Sequence, residues 1–290
     1  MKSGSYARAQ EAVGKYIEDL RRRGRKDITL KAYRNTITAL LRWLAERGME
    51  CEPERIGEDE IVTIVREYGV REGTMRGYIG MLSAFLERYG NRTVKEMGLL
   101  WNEPAHPNAR WISDQDFARI LESLHDPTDR IIVMLASYAG MRRGEISCLR
   151  LQDVLSDRMV VTGKGHGSGK QRIIPLSRKL AAEIEAYLGF RRRWVEDRDV
   201  PELIITFDRN GTHGITPGGV GRRIERLCGR LGIDASTHSF RRYFATRAWN
   251  TMPNKDIKVL QRLMGHTTPM MTLRYIQEDE AAVYEAVNRL

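Results

Sequence analysis

Cysteines and long apolar runs are scarce in this sequence. Its 290 residues include three cysteines, Cys51, Cys148 and Cys228, which are too few and too scattered for a disulfide framework or a zinc site. Residues 1–25 are polar and contain no secretory segment, and the longest apolar stretch, residues 131–141, is too short to span a bilayer. We therefore expect a protein of the reducing cytoplasm, with no metal site and no membrane anchor.

Negative charge is the scarcer sign. The chain has 38 acidic side chains against 48 lysines and arginines, which gives a net charge of +10 and a pI near 9.6. Such a balance favours polyanionic partners, because basic side chains release counterions from nucleic acid and attract it over a distance. A basic globular protein with no nucleic-acid partner has the same composition, so charge favours this function without establishing it.

Two of the nine prolines, Pro104 and Pro107, fall in an aperiodic stretch at residues 101–112, which we take as a linker between residues 1–100 and 113–290. Apolar residues recur at helical spacing before it, over residues 5–23, 29–47, 58–68 and 72–89. After it, further helical segments surround a β-hairpin at 158–176 and an edge strand at 203–207. The predicted fold class is mainly α with a small antiparallel β-sheet (α+β).

The second half of the chain contains six residues whose types and order suit one reaction. They are cations, proton donors and one hydroxyl nucleophile, and each lies in a short motif such as Gly-Lys-Gly, His-x-x-Arg or Gly-His. In chain order they are Arg142, Lys164, His238, Arg241, His266 and Tyr275.

Cleavage of a phosphodiester builds negative charge on the non-bridging oxygens. Arg142 and Arg241 can each offer those oxygens a planar pair of donors, which lysine cannot match. His238 precedes Arg241 by three residues, so both side chains lie on one helix face and can reach the same phosphate. These residues form a candidate phosphate-binding site.

The remaining three residues can supply the nucleophile and its proton transfers. Tyr275 needs nearby cations or a base, because a phenol with a pKa of ~10 is a poor nucleophile at neutral pH. Lys164, in a glycine-rich turn, can protonate the leaving oxygen as a general acid. His266, nine positions before Tyr275, can donate a hydrogen bond to the phosphate.

Taken singly, each of these residues has an ordinary structural explanation. An arginine beside another arginine is usually a surface charge, and the glycines around Lys164 are typical of a solvated turn. That turn is not a nucleotide phosphate loop, since it lacks the pattern Gly-x-x-x-x-Gly-Lys-Ser/Thr. Only the joint occurrence of all six residues favours catalysis.

The ordered set resembles the tyrosine recombinase family of phage integrases and Xer recombinases, over most of residues 113–290 and more loosely before that. The resemblance implies a helical core-binding domain at 1–100 and a catalytic domain at 113–290. It implies a site-specific recombinase that cleaves DNA strands and rejoins them through a 3′-phosphotyrosine on Tyr275. In the family the two arginines and two histidines activate the phosphate and Lys164 protonates the leaving oxygen, with no metal and no cofactor.

The resemblance also implies supporting residues. Glu145 and Asp153 match acidic positions of the family, where we expect them to orient a catalytic arginine or histidine. The sequence departs from the commonest pattern on either side of the His-x-x-Arg motif, with Thr237 in place of a proline and Arg242 in place of a histidine. Neither departure removes a catalytic group. Candidate phosphate contacts in the N-terminal part are Lys31, Arg34 and Arg76.

Partners and assembly follow from the same resemblance. We expect double-stranded DNA as substrate and a homotetramer in the synaptic complex. The apolar stripe of residues 278–290 either packs on its own domain or docks on a neighbouring protomer, as the C-terminal helix of Xer-like relatives does. The host role is either dimer resolution or the integration and excision of an element. Two other functions stay open: topoisomerase-like relaxation, and non-catalytic DNA binding on the same scaffold.

Overall fold

The computed structural model describes residues 3–101, 110–163, 171–195, 199–209, 211–277 and 288. The chain forms two compact units, residues 1–105 and residues 106–290. The boundary between them falls in the proline-containing stretch, whose residues 102–109 lie outside the described ranges. Among the helices of the described ranges, none is both long enough and apolar enough to cross a membrane.

The N-terminal unit is all helical. Its helices are α1 (Ser3–Arg22), α2 (Asp27–Glu46), α3 (Glu58–Glu67), α4 (Glu72–Glu87) and α5 (Thr93–Glu96). The four periodic segments of the sequence coincide with α1 to α4, because each turns an apolar stripe toward a common core. In α2 that stripe includes Leu30, Ile37, Leu41 and Leu44, all buried. Helix α5 was not predicted, since four residues are too few to show a period.

The second unit combines eight helices of the described ranges with two hairpins. The helices are α6 (Asp114–Glu122), α7 (Pro127–Tyr138), α8 (Arg143–Cys148), α9 (Arg178–Val195), α10 (Pro217–Arg230), α11 (Thr237–Thr251), α12 (Ile257–Met264) and α13 (Pro269–Leu273). The strands are β1 (Arg158–Thr162), β2 (Gln171–Pro175), β3 (Ile205–Asp208) and β4 (Gly211–Gly214). The predicted fold class is thereby confirmed.

The strands differ from the prediction in one respect. The hairpin of β1 and β2 forms as expected, with Val160 opposite Ile173 and Val161 opposite Arg172. The strand expected at residues 203–207 is not a lone edge, since β3 pairs with β4 in a separate two-stranded sheet. β4 reads Gly-Thr-His-Gly and has almost none of the β-branched and aromatic residues that indicate a strand.

Helix α7 lies at the centre of the second unit. Asp126 begins it by accepting hydrogen bonds from the backbone N–H groups of Thr128 and Asp129, with Pro127 in the first turn. Residues 131–137 are all buried, because α9, α10 and α11 pack around this helix. A helix covered on all sides explains why residues 131–137 are a continuous apolar run instead of a stripe.

The turn that follows α7 requires glycine. Gly140 has a φ of +58°, and a Cβ at this position would lie 2.4 Å from a ring carbon of Phe244. The Gly140 carbonyl accepts a hydrogen bond from Nη1 of Arg241. The turn therefore brings two of the six predicted residues together: it contacts Arg241 and leads directly to Arg142, which precedes α8.

We expect Gly140→Ala to lower the free energy of unfolding by about 2–4 kcal/mol, because the methyl group adds overpacking to an unfavourable φ. Urea denaturation followed by circular dichroism measures the change. Gly144→Ala, one turn later in α8, is the matched control. Its Cβ would have no heavy atom within 4 Å, so the substitution should be neutral or stabilise by up to ~1 kcal/mol. Equal effects of the two substitutions would contradict this account of the turn.

Candidate active site

The site is organised around the buried carboxylate of Glu145, in the first turn of α8. Its Oε2 accepts a hydrogen bond from the backbone N–H of Arg142 at 2.8 Å, and its Oε1 accepts one from Nη1 of Arg142 at 2.8 Å. Glu145 thus caps the N-terminus of its own helix and holds the side chain of the preceding arginine. The expectation that Glu145 orients a catalytic arginine agrees with this geometry.

A second arginine, Arg172 on β2, binds the same carboxylate with both ends of its guanidinium group. Nη1 donates to Oε1 at 2.9 Å and Nη2 donates to Oε2 at 2.8 Å, while Nε donates to the carbonyl of Leu263 at 2.8 Å. Desolvation alone would raise the pKa of Glu145, but the hydrogen bonds and charge of Arg172 outweigh it and lower that pKa to about 2. The carboxylate is therefore ionised at neutral pH.

Arg241, on α11, is fully buried. It donates to the carbonyls of Gly140 and Met264 and, through Nη2, to Nε2 of His266 at 3.1 Å. The nearest carboxylate oxygen, Oε2 of Glu145, lies 3.8 Å from Nη1. Desolvation first, and then the charge of Arg142, lower the pKa of Arg241 to about 9, which still leaves the guanidinium charged at neutral pH. Its Nε is buried without a partner among the described residues.

His266 follows a left-handed glycine, Gly265, that ends α12. Its Nδ1 lies 3.0 Å from the hydroxyl of Thr272. Because a guanidinium only donates, Nε2 must accept from Arg241, and the ring proton sits on Nδ1. Desolvation, with Arg241 next, lowers the pKa of His266 to about 4, so the ring is neutral. The predicted hydrogen bond from His266 to a phosphate would need the proton on Nε2, which here faces Arg241.

Tyr275 lies two residues beyond α13, whose first turn is capped by the hydroxyl of Thr268. The helix expected over 269–276 therefore ends earlier, at Leu273. The ring of Tyr275 is half-buried, and its centroid is 5.0 Å from that of His266. The guanidinium carbons of Arg241 and Arg242 lie 5.6 Å and 5.7 Å from the tyrosine centroid. The candidate nucleophile is thus beside two permanent cations.

The remaining predicted residues of this half have different surroundings. His238 is exposed in the first turn of α11, and desolvation together with the charges of Arg241 and Arg242 lowers its pKa. Lys164 lies outside the described residues, two positions after the end of β1. Asp153 ends a 3-10 turn and accepts a hydrogen bond from the backbone N–H of Arg150 at 3.3 Å. Within the described ranges it is not hydrogen-bonded to a catalytic arginine or histidine.

The candidate phosphate contacts of the N-terminal unit are on two of its helices. Lys31 and Arg34 are exposed on α2, and Arg76 is exposed on α4. Their exposure is compatible with a DNA surface, and it is equally typical of any solvated helix face. Their role in binding DNA stays a prediction.

Sequence reasoning missed two arginines. Arg172 is an isolated arginine in a short strand, where an arginine normally faces solvent. Its role becomes apparent only from its contact with Glu145 in the structure. The guanidinium carbon of Arg242 lies 5.7 Å from the ring centroids of both Trp111 and Tyr275. The sequence marked Arg242 as a departure from the commonest motif, but its contact with the tyrosine could not be read from spacing.

A cavity of about 940 Å³ lies beside these residues, within the second unit. Arg142, Arg172 and His266 contribute to its wall, together with Lys258 and Arg262 of α12. The charged side chains in its lining are all cationic, so an anionic group can approach the arginines through it.

We expect Glu145→Gln to lower the free energy of unfolding by about 3–5 kcal/mol at neutral pH, because it leaves buried arginines without their counter-charge. The folded-state pKa of about 2 lies below the ordinary 4.5. The stabilisation is therefore complete above pH 4.5 and is lost as the pH falls toward 2. Urea denaturation at decreasing pH should show the difference between the two proteins shrinking below pH 4.5.

Glu183→Gln is the matched control for that measurement. Glu183 also accepts a two-pronged arginine contact, from Nε of Arg130 at 2.7 Å and from Nη2 at 2.6 Å, but the arginine side chain is 42% exposed. Solvent screens such a pair, so its loss should cost only about 1 kcal/mol. A Glu145→Gln penalty no larger than this, or one that does not depend on pH, would contradict the buried-charge account.

Comparison with known proteins identifies similar sequences. The model of the phage integrase family matches residues 110–282. The chain is 32% identical over 161 residues to the tyrosine recombinase XerA of Pyrococcus furiosus, covering 56% of this chain and 54% of that protein. It is 24% identical over 302 residues to a tyrosine recombinase of Thermosipho africanus, covering 97% and 98%. It spans 54–60% of the length of three archaeal XerA recombinases.

The fold has counterparts among solved structures. The integrase of the Tn1549 transposon, solved with a circular intermediate DNA, superposes with a TM-score of 0.72 at 18% identity, covering 97% of this chain and 99% of that one. At this identity the likeness concerns the fold alone. The family model, in contrast, matches more than half of the residues and includes Arg142, Glu145, Arg241, His266 and Tyr275. The chain therefore belongs to the phage integrase family.

Proposed function

We propose that the protein is a site-specific tyrosine recombinase, which cleaves and rejoins strands of double-stranded DNA through a 3′-phosphotyrosine on Tyr275. The observation that carries the proposal is the position of this tyrosine: its ring lies against His266, with the guanidinium groups of Arg241 and Arg242 within 6 Å of the ring centroid. A hydroxyl nucleophile beside cations is the arrangement that phosphodiester cleavage by tyrosine requires.

Arg142 and Arg241 are the proposed phosphate-binding groups. Both are held by contacts to other protein groups, so little reorganisation is needed when negative charge develops on the phosphate oxygens. His238, exposed in the first turn of α11, is proposed to donate the third hydrogen bond. His266 supports Arg241 from behind as an acceptor, a role that the hydrogen bond at 3.1 Å favours over direct donation to the phosphate.

The proposed reaction has two reversible steps. The Tyr275 oxygen releases its proton to solvent and attacks the phosphorus, the bond to the 5′ oxygen breaks, and that oxygen takes up a proton from the Lys164 ammonium group. A 5′ hydroxyl of another strand then gives its proton to the neutral Lys164 amine and attacks the phosphotyrosine. The bond to the tyrosine oxygen breaks, that oxygen takes a proton from solvent, and a phosphodiester is restored. Because the covalent bond conserves the energy of the phosphodiester, no ATP, metal or other cofactor is part of the proposal. The role of Lys164 rests on the sequence alone.

The larger assembly is also a proposal. Lambda integrase, similar in fold with a TM-score of 0.69, was solved as a dimer on a core DNA site, which supports duplex DNA as the substrate of this chain. We assign the N-terminal unit to DNA binding, with Lys31, Arg34 and Arg76 as phosphate contacts, and the second unit to catalysis. A homotetramer would form the synapse in the cytoplasm. The C-terminal segment 278–290, proposed to link protomers, lies outside the described residues apart from residue 288.

The decisive test is covalent attachment. A duplex selected by the protein from a random library, nicked next to the cleavage position, should trap an adduct that survives SDS. We expect Tyr275→Phe to bind this DNA with unchanged affinity and to form no adduct, since only the attacking oxygen is lost. Tyr138→Phe, at another half-buried tyrosine of the same unit, should form the adduct normally. An adduct in Tyr275→Phe would remove Tyr275 from the proposed role.

A second test concerns metal ions. We expect the wild-type protein to form the Tyr275 adduct at the same rate with and without EDTA, because arginine side chains supply the positive charge that a metal ion would otherwise bring to the phosphate. A magnesium-dependent nuclease in the same buffer provides the control that chelation is complete. Cleavage that disappears in EDTA and returns with magnesium would contradict the mechanism.

A further inference from the structure

Arg172 joins three elements of the second unit through one side chain. Its Nη1 and Nη2 bind the carboxylate of Glu145 in α8, and its Nε binds the carbonyl of Leu263 near the end of α12. The side chain originates from β2 and is only 8% exposed. A planar guanidinium group is needed for this, because lysine cannot donate in three fixed directions at once.

The path of the Arg172 side chain depends on a glycine. A Cβ at Gly265 would lie 2.9 Å from Cδ and 3.2 Å from Nη1 of Arg172. The arginine therefore packs directly against the backbone turn from which His266 projects. This contact connects the strand β2 to the position of the histidine that supports Arg241.

Charge explains what the contact does for Arg142. Glu145 carries one negative charge among three guanidinium groups, and Arg172 binds both of its oxygens. Arg142 then contacts the carboxylate through Nη1, and its other guanidinium nitrogens have no hydrogen-bond partner among the described residues. The Arg142 side chain is 25% exposed, so these free donors can reach an incoming phosphate.

Without Arg172, the same carboxylate would have only Arg142 and Arg241 as counter-charges. Two lone-pair positions on its oxygens would open, and the closest donors to fill them are those of Arg142 and of Arg241, whose Nη1 already lies 3.8 Å away. Donors turned toward the carboxylate are lost to the phosphate. Misplacement of catalytic groups by ~1 Å can slow a reaction by ~10²-fold.

We propose that Arg172 is a positioning residue for DNA cleavage: it occupies Glu145 so that Arg142 and Arg241 stay directed at the phosphate. The proposal rests on the proposed function and adds a residue to it. Arg172 contributes to the wall of the cavity, but its three guanidinium nitrogens bind Glu145 and the carbonyl of Leu263. Its effect on the phosphate is therefore expected to pass through Glu145. This indirect action separates it from a catalytic residue and makes it testable by a double-mutant cycle.

The test measures the single-turnover rate constant of adduct formation on the nicked duplex, which does not depend on the fraction of folded protein. We expect Arg172→Gln to slow this step by about 10- to 100-fold while DNA affinity stays unchanged. Arg172→Lys should be nearly as slow, because lysine restores the positive charge without the planar, two-pronged guanidinium group. Arg158→Gln, on β1 of the same hairpin, is the matched control: its exposed pair with Asp157 should be dispensable.

The cycle is completed in a Glu145→Gln background. There, adding Arg172→Gln should change the rate constant by less than about threefold, since the group through which Arg172 acts is already neutral. Equal slowing by Arg172→Gln in both backgrounds would overturn the proposal, as would a wild-type rate in Arg172→Gln. If Arg172→Gln does not fold, Arg172→Lys replaces it in the same double-mutant cycle. A wild-type rate in Arg172→Lys would then contradict the requirement for a guanidinium group at this position.

The same experiment separates this proposal from the function on which it rests. A wild-type protein that forms no adduct would contradict both. A wild-type protein that forms the Tyr275 adduct, combined with an Arg172→Gln variant that forms it equally fast, would contradict only the positioning role. Both would be supported if the wild-type protein forms the Tyr275 adduct and if Arg172→Gln slows this step only in the protein that retains Glu145.

Discussion

The ionised carboxylate of Glu145 is the interaction on which the rest of the site depends. Three arginines lie within 4 Å of it, and two of them are almost completely buried. Without an anion between them, such cations would repel each other strongly in a medium of low dielectric constant. One negative charge leaves the group with an excess of two positive charges. That excess can stabilise the phosphate of a DNA strand as negative charge develops on it.

The arginines around the same carboxylate also connect segments of the chain that are separate in sequence. The candidate site draws residues from three separate stretches of the sequence: the start of α8, strand β2, and the segment from α11 to the turn after α13. Hydrogen bonds from Arg172 and Arg241 to the carbonyls of Leu263, Gly140 and Met264 tie the ends of these elements together. Backbone carbonyls accept the guanidinium hydrogen bonds that a single carboxylate has no room to accept. The arginines are therefore fixed in position without losing their positive charge to further carboxylates.

Much of this could be predicted from the sequence, for reasons that also explain the failures. Long helices show a periodic pattern of apolar residues in the sequence. The six-residue set is recognisable because the types of its members and their order along the chain can be read without the structure. Arg172 could not be found this way, since its partner Glu145 is 27 positions away and an arginine in a strand usually faces solvent. Strand β4 was missed because it lacks strand-forming residues. The supporting role of Asp153 stays a prediction, since its contact in the described residues is to the backbone N–H of Arg150.

The protonation states of the site follow from these contacts and limit how pH can act on it. His266 accepts from Arg241 and has a pKa of about 4, so it stays neutral near physiological pH and adds no charge. The pKa of His238 is also below its ordinary value, since desolvation and the neighbouring arginines disfavour its charged form. The positive charge of the described site near neutral pH therefore comes from arginines, whose protons are not lost there. In the proposed mechanism, proton transfer would therefore fall to the hydroxyl of Tyr275 and to Lys164, while the charge of the arginines would not change with pH near neutrality.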